Sequence, residues 1–485
     1  MRRPGRGEGR FVAFRGSMRI LLVAHNYPPA HTAGVEQHTA QVARELARGG
    51  HQVEVFCAEK DIARPDGELR VREHDGVRVH ELVNNLNYSS FEQTWRFAPA
   101  ERALGNVLDS LRPEVVHFQH LMYLSVGCLE LAARAAPVVF TLHDYWLQCP
   151  RFGQRLHPDG TNCATIDFAR CGECMASFKF RQSTLERSAG RWIAQVRGAT
   201  GVDLSGVAKA AARGLKLTKS DAAADPAHGA QLAQLLARRD GELRESVLRW
   251  VARFIAPSQF LYERMLEWGT PRERVELMRM GAESDRFAAH PRRRPAGSGD
   301  EPLRVVFLGT FAPHKAPHLI VEAWRRLPES LRSRARLELY GSGAHYPDYV
   351  RALHAAAGEV GASISGVLSR DGVASTLASA DLLVMPSVWW ENAPLVLIEA
   401  IEARTPVLVS DLGGMAEFVR ERPCGAAFAP GDVGELARAL ERLLSDRAAL
   451  GRFYAGGVAP PTMPANVARM AQIYAEVIGE RARAR

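Results

Sequence analysis

DLLVMPSVWWENAPLVLIEAIEARTPVLVSDLGGMAE, residues 381–417, reads as a strand, a loop, a helix, a second strand and a glycine turn feeding another helix. Both strands are continuous apolar runs, the pattern of parallel strands covered on each face. Pro394 stands where a first helical turn tolerates a missing donor, so the amides of Leu395 and Val396 are left at the positive helix end. Such an end is a seat for an anion. Glu391 lies in the loop before it, and Glu399 sits about one and a half turns into the helix. The two carboxylates bracket the seat, and each can accept hydrogen bonds from hydroxyls there. The plain alternative is a strand-helix-strand unit with solvated acids. Two tryptophans and an Asn392-Ala393-Pro394 loop beside an acid are unusual in a bare connection.

The same logic precedes this unit. LRVVFLGTFAPHKAPHLIVEAWRRL, from residue 303, gives a strand, a turn at Gly309 and Thr310, the basic Lys315 and a helix. The strand LELYG ends in Gly341, with Gly343 beyond it. The sixth position of a dinucleotide fingerprint is here Tyr346, and the next strand ends in Gly366 and Val367 without an acidic ribose hook, so an NAD site is disfavoured.

A second alternating pattern opens the chain. MRILLVA (18–24), the loop HNYPPAHTAG, a helix from Val35 to Arg48 and the strand HQVEVFCAE form a strand-helix-strand unit. Gly34 lies at the carboxyl end of the first strand, where it either makes the turn or approaches a ligand. The strands PEVVHFQH and PVVFTLHDYW end in His120 and His143, which point towards one crevice. A neutral His143 can hydrogen-bond a sugar hydroxyl or phosphate without acting as a base; the alternative is a hydrogen-bonded, partly buried imidazole.

Cys149, Cys163, Cys171 and Cys174 follow, with thirteen, seven and two residues between them. The last pair has the knuckle spacing of a structural zinc site; four free thiols or a redox pair are the other readings. Residues 175–251 are Ala-, Arg- and Lys-rich and read as a helical insertion, either solvated or touching a membrane surface. The expected organisation is α/β throughout: a disordered extension at 1–17, a doubly wound domain at 18–290 carrying the Cys cluster (149–174) and the insertion, a linker at 291–302, a second doubly wound domain at 303–460, and a C-terminal helix at 461–485.

With 485 residues, two domains are the default. The net charge of +8 points to an anionic partner without saying which. No apolar run is long enough to span a bilayer, and the N-terminal apolar patch is too short for a signal core, so a cytoplasmic protein with unpaired cysteines is expected.

ENAPLVLIE, the TLHDYW histidine, the APSQF strand end, the GTFAPHK turn and the SDLGG loop together resemble the retaining, GT-B-fold glycosyltransferases of family four. The resemblance covers most of residues 18–480 outside the insertion. It implies two Rossmann-like domains facing across a cleft, a nucleotide-diphosphate sugar donor, a glycan or lipid-linked acceptor, no nucleic acid, and no cofactor for catalysis. It further implies that Glu399 holds the donor ribose and Glu391 a hydroxyl of the transferred sugar. Lys315, with amides near Leu395 and Gly34, would cradle the diphosphate, Val367 would meet the base through its backbone, and His143 would approach the donor sugar, with Gly309, Thr310, Gly341, Asn392, Ala393, Pro394 and Val396 completing the expected donor-binding set. Two departures stand out: Thr310 replaces the family's usual arginine, and Met280-Gly281 replaces an Asn-Gly turn. A nucleotide-sugar epimerase and a catalytically silent glycan-binding relative are the alternatives, and peripheral contact at the inner membrane face is compatible with the basic insertion.

Overall fold

The computed structural model describes residues 16–176 and 226–484 except 293 and 457, together with 178, 180, 188, 192, 193 and 196. Most of the expected N-terminal extension and the greater part of the expected insertion, up to residue 225, lie outside the described residues. Within them the chain forms two α/β halves, each built on one sheet. Strands are β1 (Arg19–Ala24), β2 (Gln52–Glu59), β3 (Leu69–His74), β4 (Val77–Val83), β5 (Val115–Phe118), β6 (Val138–Thr141), β7 (Val251–Ala256) and β8 (Val275–Leu277) in the first half. The second half holds β9 (Leu303–Leu308), β10 (Ala335–Tyr340), β11 (Ser363–Ser365), β12 (Leu382–Met385), β13 (Val407–Ser410) and β14 (Gly425–Phe428).

The second sheet runs β11-β10-β9-β12-β13-β14, entirely parallel, which is the doubly wound order with its reversal between β9 and β12. The first runs β3-β4-β2-β1-β5-β6-β7-β8, reversing between β1 and β5. In such sheets ligands bind outside the carboxyl ends of the strands at the reversal, so two candidate crevices are set by topology alone.

Beyond the strand that ends at APSQF, the structure adds β8 on that edge of the first sheet and the β3–β4 hairpin on the other. The hairpin turns through Asp75 and Gly76, both at positive φ (51° and 75°), as a two-residue turn matching strand twist requires. The helix Met463–Ala484 returns to the first half, where Met470, Ile473, Tyr474 and Val477 pack with Ile20, Val42 and Leu46. Its start and the outgoing chain pair side by side: Ala282 N–H donates to Pro461 O (2.8 Å) and Met463 N–H to Ala282 O (2.8 Å).

Residues 291–302, expected as a linker, are strapped to the second half. Arg292 donates to the carbonyls of Ala403 and Leu377 and to Thr405 Oγ1, while the buried Asp381 accepts from Gly297 N–H at 2.9 Å and pairs with Arg294 at 3.3 Å. Among the described residues no helix is long and apolar enough to cross a membrane.

Candidate active site

At the reversal of the second sheet, the loop after β12 meets the loop after β9. Glu391, 4% exposed, is reached through its Oε1 by three donors: Lys315 Nζ, Ser387 Oγ (2.9 Å) and Trp389 Nε1 (2.9 Å). Burial raises the Glu391 carboxyl pKa, but the Lys315 charge and these hydrogen bonds outweigh it and leave the net value below the ordinary range. Lys315 also lies over the Trp389 ring, 5.3 Å from its centroid. The Trp389 indole therefore closes one side of the ion pair.

The helix Leu395–Glu402 has Pro394 as its N-cap, with no capping side chain. Its first amides, Leu395 and Val396, precede any intrahelical partner and stay available to a ligand. The glycine turn supports this loop from behind. Gly414 N–H donates to Glu391 O (2.8 Å), and a Cβ on Gly414 would lie 1.6 Å from Asn392 O, so only glycine lets the two backbones approach.

The first-half crevice is lined by imidazoles at the ends of β1, β5 and β6. His143 Nε2 lies 2.9 Å from Gln119 Oε1, and its ring meets that of His38 at 5.2 Å. Burial, then the neighbouring histidines, hold His143 well below its usual pKa, so it is neutral at pH 7. Beside it His25 faces Glu36 (3.1 Å), His120 faces Asp144 (3.1 Å), and the two rings lie 4.5 Å apart. Met122 N–H donates to His120 Nδ1, which leaves Nε2–H to bond Asp144.

Asn392 joins the two crevices. Its Nδ2 donates to the carbonyls of Leu142 and His143 (both 3.1 Å), and its Oδ1 accepts from Ser258 Oγ. The sequence reading placed Asn392 on the donor; the structure turns its side chain to the opposite half, where it meets these three polar groups. Glu391 and His143 thus lie on the two sides of one cleft, linked through adjacent backbone.

The remaining expected residues are more dispersed. Glu399 is engaged by Arg286 from the segment before residue 290, a partner that sequence reasoning missed because it lies 113 positions away. Gly309 follows β9, with Thr310 exposed beyond it. Gly341 answers a packing need rather than an evident ligand contact: a Cβ there would lie 1.9 Å from Gly309 O. Gly34 begins the helix Gly34–Arg48, and Val367 is 73% exposed beyond edge strand β11. Ala393 packs with Met280 and Ile398.

Cys149, Cys163, Cys171 and Cys174 are free thiols, and among the described residues no group of three or more His, Cys, Asp and Glu is placed to hold a metal ion. Cys149, Cys163 and Cys174 all act electrostatically on the Cys171 thiol. The backbone around them is held locally, with Cys149 N–H on Tyr145 O (2.7 Å) and Cys163 N–H on Arg155 O (2.7 Å), and the Cys174 Sγ accepts from Arg151 Nη1 (3.5 Å). Burial pushes the Cys171 thiol up to about 12.

The model of glycosyl transferases group 1 matches residues 291–457, and that of glycosyltransferase family 4 matches residues 32–166. The chain belongs to the GT-B glycosyltransferases of family four. D-inositol 3-phosphate glycosyltransferase of Mycobacterium sp. (strain KMS) is 32% identical over 179 residues, 36% of this chain and 40% of that protein. The match thus spans about two fifths of this curated relative. An uncharacterized glycosyltransferase of Methanocaldococcus jannaschii is 23% identical over 440 residues, 88% of this chain and 90% of that one. Among solved structures, Anabaena HepE in complex with UDP and glucose aligns with a TM-score of 0.55 at 15% identity, covering 96% of this chain and 99% of that chain. Sucrose-phosphate synthase from Thermosynechococcus elongatus gives 0.59 at 18%, covering 95% and 99%. At these identities the structural likeness speaks for the fold.

Proposed function

We propose that the chain transfers a sugar, with retention at the anomeric carbon, from a nucleotide-diphosphate sugar to a glycan or lipid-linked saccharide. The observation that carries this reading is the Lys315–Glu391 pair beside an open helix mouth, across the cleft from a neutral His143. The departing group is a diphosphate, so stabilising its developing charge matters more than a strong base. Lys315 and the amides of Leu395 and Val396 take the phosphate oxygens, with the Gly34 amide closing the cradle. Glu391 offers its second oxygen, Oε2, to a sugar hydroxyl. Glu399 exchanges Arg286 for the ribose hydroxyls, Val367 meets the base through its backbone, and His143 contacts the donor sugar.

As the anomeric carbon–oxygen bond to phosphate breaks, the acceptor oxygen bonds that carbon, and its proton passes to the departing phosphate. No residue need carry the sugar. The absence of a spanning helix among the described residues is compatible with work at the inner face of a membrane.

The test is a thermal-shift panel of UDP, GDP and ADP, followed by transfer assays with the stabilising base. Binding to one of them and loss of transfer in Glu391→Ala are expected. Unchanged transfer in that variant refutes the assignment, and interconversion of the free nucleotide sugar without acceptor identifies an epimerase.

A further inference from the structure

The donor seat of the second half is short of positive charge. A sugar-linked diphosphate brings two ionised phosphates, whereas Lys315 is already committed to Glu391, and Thr310 at the turn after β9 is neutral. His314, next to Lys315, adds nothing: burial first, then the Lys315 charge, push it down to about 4. Arg286 is held at the far end of the seat by Glu399.

The first half presents the missing cation from its cysteine-bearing insert. That insert is fastened to the donor loops at several points. Asn162 Nδ2 donates to Val388 O (2.8 Å), and the Arg155 guanidinium lies 5.4 Å from the Trp390 ring centroid. Val388 N–H in turn bonds His314 O (2.9 Å), and the His314 and Trp389 rings lie 5.3 Å apart.

Arg151 stands in the turn that begins this insert, which folds back onto Tyr145 through Gly153 O (3.2 Å) and so onto the His143 side of the cleft. Its charge is the smallest of the effects on His314, after burial, Lys315 and Glu391, so Arg151 lies within electrostatic range of the Lys315 turn. Among the described residues its guanidinium has one hydrogen-bond partner, the Cys174 thiol at 3.5 Å, a weak acceptor. Most of its five donors are therefore open to a ligand.

We propose that Arg151, reaching from the first half, is the second cation on the donor diphosphate, gripping two phosphate oxygens through its planar fork where Thr310 supplies no charge. This rests on the donor-site reading above. The fork suits phosphate better than an ammonium does, because two parallel N–H···O bonds fix orientation as well as charge. It also makes the grip conditional on the halves being closed, since Lys315 and Arg151 belong to different halves. Arg151 is a binding residue in this assignment, and Cys174 holds it in reserve until the donor arrives.

The experiment is calorimetry on the full chain with inorganic pyrophosphate and with whichever of UDP, GDP and ADP stabilises it. The variants are Arg151→Gln, Arg151→Lys and Arg151→Gln with Thr310→Arg. Arg151→Gln should weaken both ligands on the order of ten- to a hundredfold, the effect of losing charge-assisted hydrogen bonds. Its unliganded melting temperature should stay near that of the parent. Lysine should restore binding in part, and the added arginine at position 310 most of it.

Unaltered affinity in Arg151→Gln overturns the assignment. So does weakened affinity that accompanies a fallen melting temperature and is not rescued at position 310, since that is the signature of a structural role. If the parent protein binds neither pyrophosphate nor any of the three nucleotides, the donor-site reading fails and takes this assignment with it.

Discussion

Glu391→Gln separates binding the donor from transferring its sugar. The side chain keeps its shape, and the amide oxygen can still accept from Ser387 and Trp389, each 2.9 Å away in the parent. What disappears is the negative charge facing Lys315 and the acceptor strength offered to the sugar. A hydrogen bond to a charged group is worth about 1.5–3 kcal/mol, and a close pair in a partly screened site about 4 kcal/mol. Taking about 3 kcal/mol as transition-state stabilisation lost, kcat/KM for transfer should fall roughly a hundredfold.

Donor affinity should move the other way. Lys315, released from its counter-ion, has its full charge for the diphosphate, so the nucleotide diphosphate should bind as tightly as before or more tightly. Steady-state transfer assays and calorimetry on the same preparation read the two quantities. A kcat/KM within about threefold of the parent, less than 1 kcal/mol, refutes the role given to the carboxylate. Weaker nucleotide binding refutes the claim that Glu391 competes for Lys315.

Asn392→Ala removes two donors from the Leu142 and His143 carbonyls and the acceptor of Ser258 Oγ. At about 1 kcal/mol per neutral hydrogen bond, closure of the halves should weaken by roughly 2–3 kcal/mol. Transfer should then fall ten- to a hundredfold, with nucleotide affinity falling as well because the Arg151 grip needs the halves closed, and parental kcat/KM would show that this side chain does not set closure. Acid should destabilise the first half. Burial lowers His38 to about 4 and His117 to about 3 from an ordinary 6.5. Their folded values are depressed, so below pH 6.5 the unfolded chain takes up protons the folded chain refuses. Stability is full above that pH and is lost as pH falls towards the folded values. At pH 5 each costs roughly 2 kcal/mol. Urea unfolding at pH 7 and 5 should differ by about 4 kcal/mol from this pair, and His117→Asn should remove about half; equal unfolding free energies at both pH values contradict the burial argument.

Legibility followed locality. The central parallel strands of residues 303–410 announce themselves because a strand covered on both faces must be apolar throughout, as LLVM and VLVS are, whereas the edge strand GAAF, short and half-exposed, was not read. The edge hairpin does not, because LRVREH interleaves charge with apolar residues and only Asp75-Gly76 marks its turn. The acids at 391 and 399 were readable from their spacing around a helix start. Their ion pairs were not: Lys315 was read for the diphosphate, but it is 76 positions from Glu391, and no periodicity relates the two. The side-chain contacts of Asn392 were hidden for the same reason. Its side chain serves carbonyls about 250 residues away, which a motif centred on its own loop cannot reveal.

The two sides of the cleft differ in electrical character, and that difference explains where a further cation has to come from. The first-half crevice holds His143, kept well below its normal value, and His25, lowered chiefly by burial and then by His120. Neutral rings and an amide such as Gln119 suit sugar hydroxyls, which need hydrogen bonds and gain nothing from a net charge. A protonated imidazole there would have to be stabilised against burial and against three or four like neighbours. The second-half crevice is built of fixed ions, Lys315 against Glu391 and Arg286 against Glu399, which suits phosphate and ribose. Positive charge aimed at the diphosphate from the first half therefore cannot be placed among the histidines without charging them further apart. It has to stand on a separate segment that reaches over the cleft edge, and the turn carrying Arg151, pinned to the donor loops through Asn162 and Arg155, is such a segment.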